Sequence, residues 1–305
     1  MISRLSCKEN DIRLDVFMAS KLEGYSRSYY KELISKGLVT VNGIIPNKAG
    51  IKLQAGDKVE VDIPELVETE NQAQDIPLDI VYEDDDLLVI NKPQGLVVHP
   101  GAGHSDNTLV NALLNHCEGN LSDINGVIRP GIVHRIDKDT SGLMLAVKNN
   151  ETHLKVAEMI AAHEVKREYR ALLYGVLAHD KGTVDAPIGR SKTDRRKMTV
   201  TADGKPSVTH FEVVDRYTEA TDTALILETG RTHQIRVHMS YIGHPVVGDP
   251  VYAGKRKKFG LTGQALHSKT IEFVHPRTGE TMRFDSPLPD YYTRLLSELD
   301  PLPDN

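Results

Sequence analysis

The 305-residue chain is 39% hydrophobic and 26% charged, the balance of a globular protein with room for one large domain or two unequal ones. No apolar run approaches the roughly 18 residues of a membrane span, and the opening M-I-S-R-L-S-C-K-E-N lacks the apolar centre of a signal peptide. The two cysteines, Cys7 and Cys117, form neither a zinc spacing nor a disulfide framework, so a reducing cytoplasm with no membrane partner is expected. The net charge of −6 argues against a nucleic-acid partner until its distribution is read. Residues 1–60 hold 10 Lys/Arg against 7 Asp/Glu, residues 61–86 hold 10 acids and no base, and residues 87–305 hold 27 bases against 26 acids. The acidity is confined to one stretch, and binding follows local patches more than the sum.

Residues 12–62 have the pattern of a compact unit. Val16, Phe17 and Leu22, then Tyr29, Leu33 and Ile34, are spaced for two short helices. Ser26 or Ser28 is a candidate cap for the second, and Lys36-Gly37 ends it. Asn42-Gly43, flanked by Val39–Val41 and Ile44-Ile45, is a two-residue hairpin signal, and Lys58–Val61 alternates as a strand. Residues 63–76 are acidic and weakly periodic, as in a linker. Beyond 77, strands are predicted at Ile80–Tyr82, Leu87–Asn91, Ile132–His134, Leu143–Val147, Tyr169–Val176, Thr223–Thr229, Ile271–Val274 and Met282–Phe284. Helices are predicted at 107–116, 151–163, 232–242 and 290–299. Few regular strand–helix–strand alternations occur, so the expected class is α+β on a mixed, largely antiparallel sheet, preceded by a small α/β domain. The expected boundaries are 1–62, 63–76 and 77–305.

The most informative segment is H-R-I-D-K-D-T-S-G at 134–142, which leads straight into the apolar run Leu143–Val147. Taken alone, Asp137 and Asp139 fit a capped turn. The same carboxylate, between a basic flank and a Thr-Ser-Gly turn, also suits a nucleophile toward a sugar carbon. The nonapeptide resembles the signature H-R-L-D-x-x-T-S-G of the RluA/RluD family of RNA pseudouridine synthases, with Ile136 in place of Leu. Three further stretches resemble that family in its order. They are E-D-D-D-L-L-V-I-N-K-P-Q-G-L-V-V-H-P at 83–100, K-R-E-Y-R-A-L-L-Y-G at 166–175, and G-R-T-H-Q-I-R-V-H-M-S-Y-I-G-H-P-V-V-G-D at 230–249. The resemblance spans about 77–292, and D-type enzymes are the nearest match within the family. Residues 12–62, with R-L-D, S-R-S, I-S-K-G-L-V-T-V-N-G and G-D-K-V, resemble the small RNA-binding domain named after ribosomal small-subunit protein S-four.

The resemblance implies isomerisation of uridine in RNA, with large-subunit ribosomal RNA or a ribosomal precursor as partner, by a monomer needing no metal or other cofactor. It assigns Asp137 as the catalytic carboxylate, Tyr169 as the tyrosine against the uracil, and Arg236 as the base pairing with Asp137. Asp139 is expected to be supporting, and Lys92-Pro93 to fix a strand end near the pocket. On a helix beginning near Thr232, His233, Arg236 and Ser240 share one side. His134 and Arg135 are implied RNA contacts, as are Arg13, Arg27, Lys31 and Lys36 of the first unit. Those four fit a solvated helix face equally well by residue type. The basic runs at 190–197, with Arg190, Arg195, Arg196 and Lys197, and at 254–258 are further candidates for phosphate contact.

Competing motifs fail on spacing. G-A-G-H-S-D at 101–106 lacks the final Gly of a dinucleotide fingerprint, G-D-P-V-Y-A-G-K at 248–255 is not a P-loop, and no H-E-x-x-H occurs. Two other functions remain open at this level: a non-catalytic RNA-binding assembly factor, and a metal-dependent RNA hydrolase.

Overall fold

The computed structural model describes residues 2–22, 27–62, 72–101, 106–124, 129–194, 197–256 and 259–303, with the side chains of Ile2, Arg27, Ser28, Tyr29 and Glu32 excepted. Ser26, Arg195, Arg196 and most of the expected linker therefore lie outside the described residues, as do the side chains of Arg27 and Ser28. The chain divides into two compact units, Met1–Thr69 and Glu70–Asn305.

The first unit comprises β1 (Ile2–Ser6), β2 (Ile12–Arg13), α1 (Leu14–Lys21), α2 (Arg27–Ser35), β3 (Val39–Val41), β4 (Lys52–Leu53) and β5 (Lys58–Asp62). Leu14, Phe17 and Met18 of α1 and Tyr30, Leu33 and Ile34 of α2 follow helical spacing and are buried against Val39, Val59 and Val61 of the sheet β1-β5-β3. Asn42 (φ 53°) and Gly43 (φ 80°) make the expected tight turn, closed by Val41 N to Ile44 O at 2.9 Å and Ile44 N to Val41 O at 3.0 Å. The predicted return strand does not form: β3 pairs with β5 instead, and Ile44 and Ile45 are exposed. Pro46 has no N–H to continue a ladder, which ends the hairpin after one bridge.

The second unit comprises β6 (Ile80–Glu83), β7 (Leu87–Lys92), α3 (Leu109–His116), β8 (Ser141–Val147), α4 (Asn150–Ala161), β9 (Lys166–Tyr174), β10 (Lys181–Asp185), β11 (Ile188–Arg190), β12 (Met198–Val200), β13 (Val208–Arg216), β14 (Ala220–Leu227), α5 (Gln234–Tyr241), β15 (Leu266–Val274), β16 (Thr281–Asp285) and α6 (Asp290–Ser297). Its main sheet runs β10-β13-β14-β9-β15-β8-β7-β6, with β16 also on β15. Every pairing in it is antiparallel except β8 with β15. Alternate residues serve opposite faces. Leu88, Ile90, Met144, Tyr169, Ala171 and Leu225 pack with α3 and with Ile235 and Met239 of α5. Leu87, Val89, Leu143 and Leu145 share a cluster with Val156 of α4, and Leu172 and Tyr174 with Tyr292 and Leu295 of α6. Both faces of β7 and β8 are covered, hence their nearly unbroken apolar sequences.

Two expectations need correction. Residues 132–134 are not a strand: only the Ile132–Ala146 bridge forms, and the Leu145 N–H is taken by the His134 ring (Nε2, 2.9 Å) where a strand would offer a carbonyl. Residues 72–76 do not hang free as linker: Gln74 N donates to Asn111 O at 3.0 Å, and Asn111 Nδ2 to Gln72 O at 2.8 Å. The described part of the basic run at 190–197 lies in a turn, in keeping with its loop-like sequence: Arg190 ends β11, and Ser191 N is bonded to Lys197 O at 3.0 Å just before β12.

Candidate active site

The loop between residues 131 and 140 is fastened from below. Lys92, fully buried, points its ammonium at three carbonyls: Pro93 O (2.8 Å), Leu96 O (2.9 Å) and Lys138 O (2.9 Å). Burial pulls this lysine down to about 7, opposed by the charges of Asp139 and Asp137. Three acceptors around one nitrogen suit the ammonium, which has three donors. Gln94 Nε2 donates to Asp139 O (3.0 Å) and Gln264 O (3.1 Å), while Gln264 Nε2 donates to Thr140 Oγ1 (3.0 Å). The Ser141 hydroxyl lies 2.9 Å from His267 Nδ1.

Gly142 explains the last letter of the motif. Its φ is +110°, and a Cβ there would stand 2.2 Å from Ser268 O. Only glycine lets β8 approach β15 this closely.

A cleft of about 470 Å³ opens above this loop. It is lined by the loop (His134, Arg135, Asp137), by β9 (Arg167, Tyr169), by residues after β14 (Thr229, Gly230, Arg231), and by the start of α5 (His233, Arg236). The three residues expected to be catalytic, Asp137, Tyr169 and Arg236, and two expected RNA contacts, His134 and Arg135, thus line one cavity. Ser240, Arg190 and Lys197 do not line it.

Arg236 is buried and donates through Nη1 to Asp137 Oδ2 at 2.7 Å. Its Nε and Nη2 donate to Asp249 Oδ2 (2.6 Å) and Oδ1 (3.0 Å), a bidentate fork. Burial opposes the Arg236 charge, but the two carboxylates outweigh it and raise its pKa. Asp249 is itself oriented by the N–H groups of Val251 (2.8 Å) and Tyr252 (2.9 Å). The Tyr252 ring lies under the guanidinium at 5.2 Å, and its hydroxyl accepts from Met198 N (2.9 Å) and sits 2.9 Å from His233 Nδ1.

His233 does not belong to the helix as expected. It precedes α5 in the left-handed region (φ 58°), and this turn, rather than helical stacking on Arg236, brings its Nε2 to 3.8 Å from Asp137 Oδ1. With the Tyr252 hydroxyl proton directed to Nδ1, Nε2 carries the ring proton toward the carboxylate. Burial lowers the pKa of His233 against the opposing pull of Asp137.

Tyr169 stands on the β9 face that packs with α5 and is almost wholly buried. Burial raises its pKa, partly offset by the Arg167 charge and a hydrogen bond with Ser268, so the side chain is a neutral phenol. The sequence did not single out Asp249, Tyr252 or Arg167. Asp249 ends the motif at 230–249, and its preceding glycine (φ +76°, with a Cβ only 2.4 Å from Gly263 O) was the available signal.

Away from the cleft, ligand atoms of Asp84, Asp86 and His275 lie within 4.8 Å of one another. His275 Nδ1 accepts the N–H groups of Arg277 and Thr278 at 3.2 Å, so its proton sits on Nε2, 3.0 Å from Asp84 Oδ2. With Arg277 Nε 2.5 Å from Asp86 Oδ2, this is a set of ion pairs and a poor cation site. In the first unit, Arg13 and Lys31 both turn toward buried Asp15, at 3.0 and 3.6 Å, and Lys36 is exposed after α2. Arg256, from the second basic run, packs over the Tyr174 ring at 5.7 Å.

A carboxylate held by a buried guanidinium thus stands beside a tyrosine in a cleft that also holds several basic side chains. Residues 86–241 match the family model for RNA pseudouridylate synthase, and residues 12–59 match that of the S4 domain. The chain belongs to the RNA pseudouridine synthase family. It is 51% identical over 287 residues to the uncharacterized RNA pseudouridine synthase YlyB of Bacillus subtilis, covering 94% of each chain. It is 46% identical to the ribosomal large subunit pseudouridine synthase D of Pseudomonas aeruginosa, covering 94% of this chain and 92% of that one. The fold is similar to human RNA pseudouridylate synthase domain containing 1, with a TM-score of 0.61 and 26% identity over 75% of this chain and 91% of that one. Among the described residues, no helix is long and apolar enough to cross a membrane.

Proposed function

We propose that the chain converts uridine to pseudouridine in large-subunit ribosomal RNA, with Asp137 as the carboxylate at the sugar carbon. The observation that carries this is the division of Asp137: Oδ2 is held by Arg236, while Oδ1 accepts no hydrogen bond among the described residues and has His233 Nε2 3.8 Å away. One oxygen is fixed and the other is free to meet C1′. The rRNA assignment rests on relatives carrying that name, at 46–47% identity over nearly the whole chain.

The reaction breaks the N1–C1′ bond, and its electron pair leaves with the uracil. Positive charge then develops at C1′, where a carboxylate stabilises or traps it. The uracil turns in the pocket, C5 joins C1′, and the carboxylate is released. The proton lost from C5 equals the one gained at N1, so composition is unchanged. Tyr169 supplies an aromatic face for the base, and Arg236 orients Asp137 throughout. Arg135, exposed at the rim, is assigned to the RNA strand, since a paired uridine must leave its stack to enter.

The test is mass-spectrometric mapping of pseudouridine in unmodified rRNA and assembly intermediates incubated with wild type or Asp137→Asn, without added metal. New pseudouridine with wild type alone, and comparable RNA binding by both, is expected. Binding without conversion by wild type would favour the assembly-factor reading, and chain cleavage the hydrolase.

A further inference from the structure

Three Lys or Arg side chains are buried among the described residues: Lys92, Arg167 and Arg236. Lys92 has three carbonyls and Arg236 two carboxylates. Arg167, 6% exposed, has no hydrogen bond or ion pair among the described residues, and its Nε is buried without an acceptor. A buried donor without an acceptor is costly, and each one in a native fold calls for an explanation such as an absent ion or ligand. Arg167 stands on β9 two positions from Tyr169, on the same face, and lines the same cleft.

A second buried donor atom in that wall, on the half-buried His134, has the same need. His134 Nε2 accepts from Leu145 N, which leaves the ring proton on Nδ1, and Nδ1 is buried without a partner. The charge of Arg167 adds to burial in holding this ring neutral, down to about 3. Both unsatisfied atoms are donors. Gly230 keeps the guanidinium's outer edge clear, since a Cβ there would come within 3.4 Å of Nη1.

We propose that Arg167 and His134 form an oxyanion site that takes a backbone phosphate of the target nucleotide, anchoring the strand while the uracil lies against Tyr169. A uracil carbonyl would satisfy the donors but leave the guanidinium charge unbalanced, so the phosphodiester is the better fit. The assignment to the target nucleotide rests on the function proposed above.

The test uses the full-length protein and a fluorescein-labelled uridine octanucleotide, with binding measured from roughly 50 to 200 mM KCl. Arg167→Met is expected to weaken binding about tenfold, and to reduce the slope of log affinity against log salt by about 0.7, the value of one phosphate contact to a single strand. Arg167→Lys, which keeps the charge, should retain the slope. Without RNA, the melting temperature of Arg167→Met should not fall, because removing a lone buried charge relieves the apo protein.

Weaker binding at an unchanged slope would indicate a neutral acceptor, such as a uracil carbonyl, and overturn the phosphate site. Unchanged binding, or a marked drop in melting temperature with both substitutions, would overturn it in favour of a structural arginine. Conversion of rRNA by wild type is scored separately. A slope change in a protein that converts nothing would leave the anion site standing and remove its assignment to a target uridine.

Discussion

Arg236 and Asp249 are locked to each other through two hydrogen bonds of 2.6 and 3.0 Å, and this lock leaves Arg236 a single free edge, which Asp137 occupies. The fork fixes the plane of the guanidinium, and the plane fixes the carboxylate. Orientation of Asp137 is therefore set from a residue that does not touch the cleft.

Asp249→Ala is expected to cost about 3 kcal/mol of stability by breaking a buried pair, and about 100-fold in kcat by loosening the geometry at Asp137. The KM for RNA should move little. Steady-state pseudouridine formation checks the split, and a change confined to KM would show that Asp249 acts on binding instead.

Tyr252→Phe separates the ring from its hydroxyl. The ring under Arg236 remains, but Met198 N–H loses its acceptor and His233 its partner. A stability loss of about 1–2 kcal/mol is expected for the stranded donor, visible as a lower urea midpoint, with a smaller fall in kcat than for Asp249→Ala.

Gly142→Ala should be among the most damaging single methyl additions in the chain. The new carbon would meet Ser268 O at 2.2 Å and Ser268 N at 2.6 Å, both backbone. A loss above about 4 kcal/mol is expected. Gly243→Ala is the control: its φ is +90° but nothing lies within 4 Å, so the left-handed backbone alone should cost about 1 kcal/mol. Equal melting temperatures for the two variants would contradict the close approach of β8 to β15.

Acid should destabilise the fold through buried neutral histidines. His267, bonded to Ser141 and Ser286, is held by burial and the nearby Lys269 charge at about 4, below the ordinary 6.5. Between those values the unfolded chain binds a proton that the folded chain refuses, so stability rises with pH across the window and falls on acidification. One such histidine contributes on the order of 3 kcal/mol between pH 6.5 and 4. His267→Asn should flatten the dependence of the urea midpoint over that range, and parallel profiles would count against this account.

Much of the site was legible in four motifs, because short-range spacing carries the loop around Asp137, the strand of Tyr169 and the helix of Arg236. All four predicted helices of the second unit occur within two residues of their expected ends, where apolar periodicity is clear. The region between Lys181 and Arg216 was opaque. Strands β10 to β13 are short or half-exposed, as in V-T-H-F-E-V-V-D-R, so they lack the long apolar runs or clean alternation that mark a strand in sequence. Arg167 was hidden for another reason. Lys166, Arg167 and Arg170 look alike in sequence, and only the register sorts them. Lys166 goes out to Glu272 and Arg170 to Asp222 on the opposite face, while Arg167 turns inward.

The junction of β8 with β15 has a consequence for how the protein comes into being. Ser141 and Gly142 meet His267 and Ser268 across 126 positions of chain, and such distant contacts form late. A nascent chain emerging from the ribosome acquires Asp137, Tyr169 and Arg236 well before the strand that aligns them. A fragment ending before Leu266 would carry every residue assigned to the chemistry and still lack the strand against which Ser141 and Gly142, just after the Asp137 loop, are packed. Assembly of the site therefore waits on a strand that follows all of those residues in the sequence, and a chain cut before β15 is expected to leave RNA unchanged.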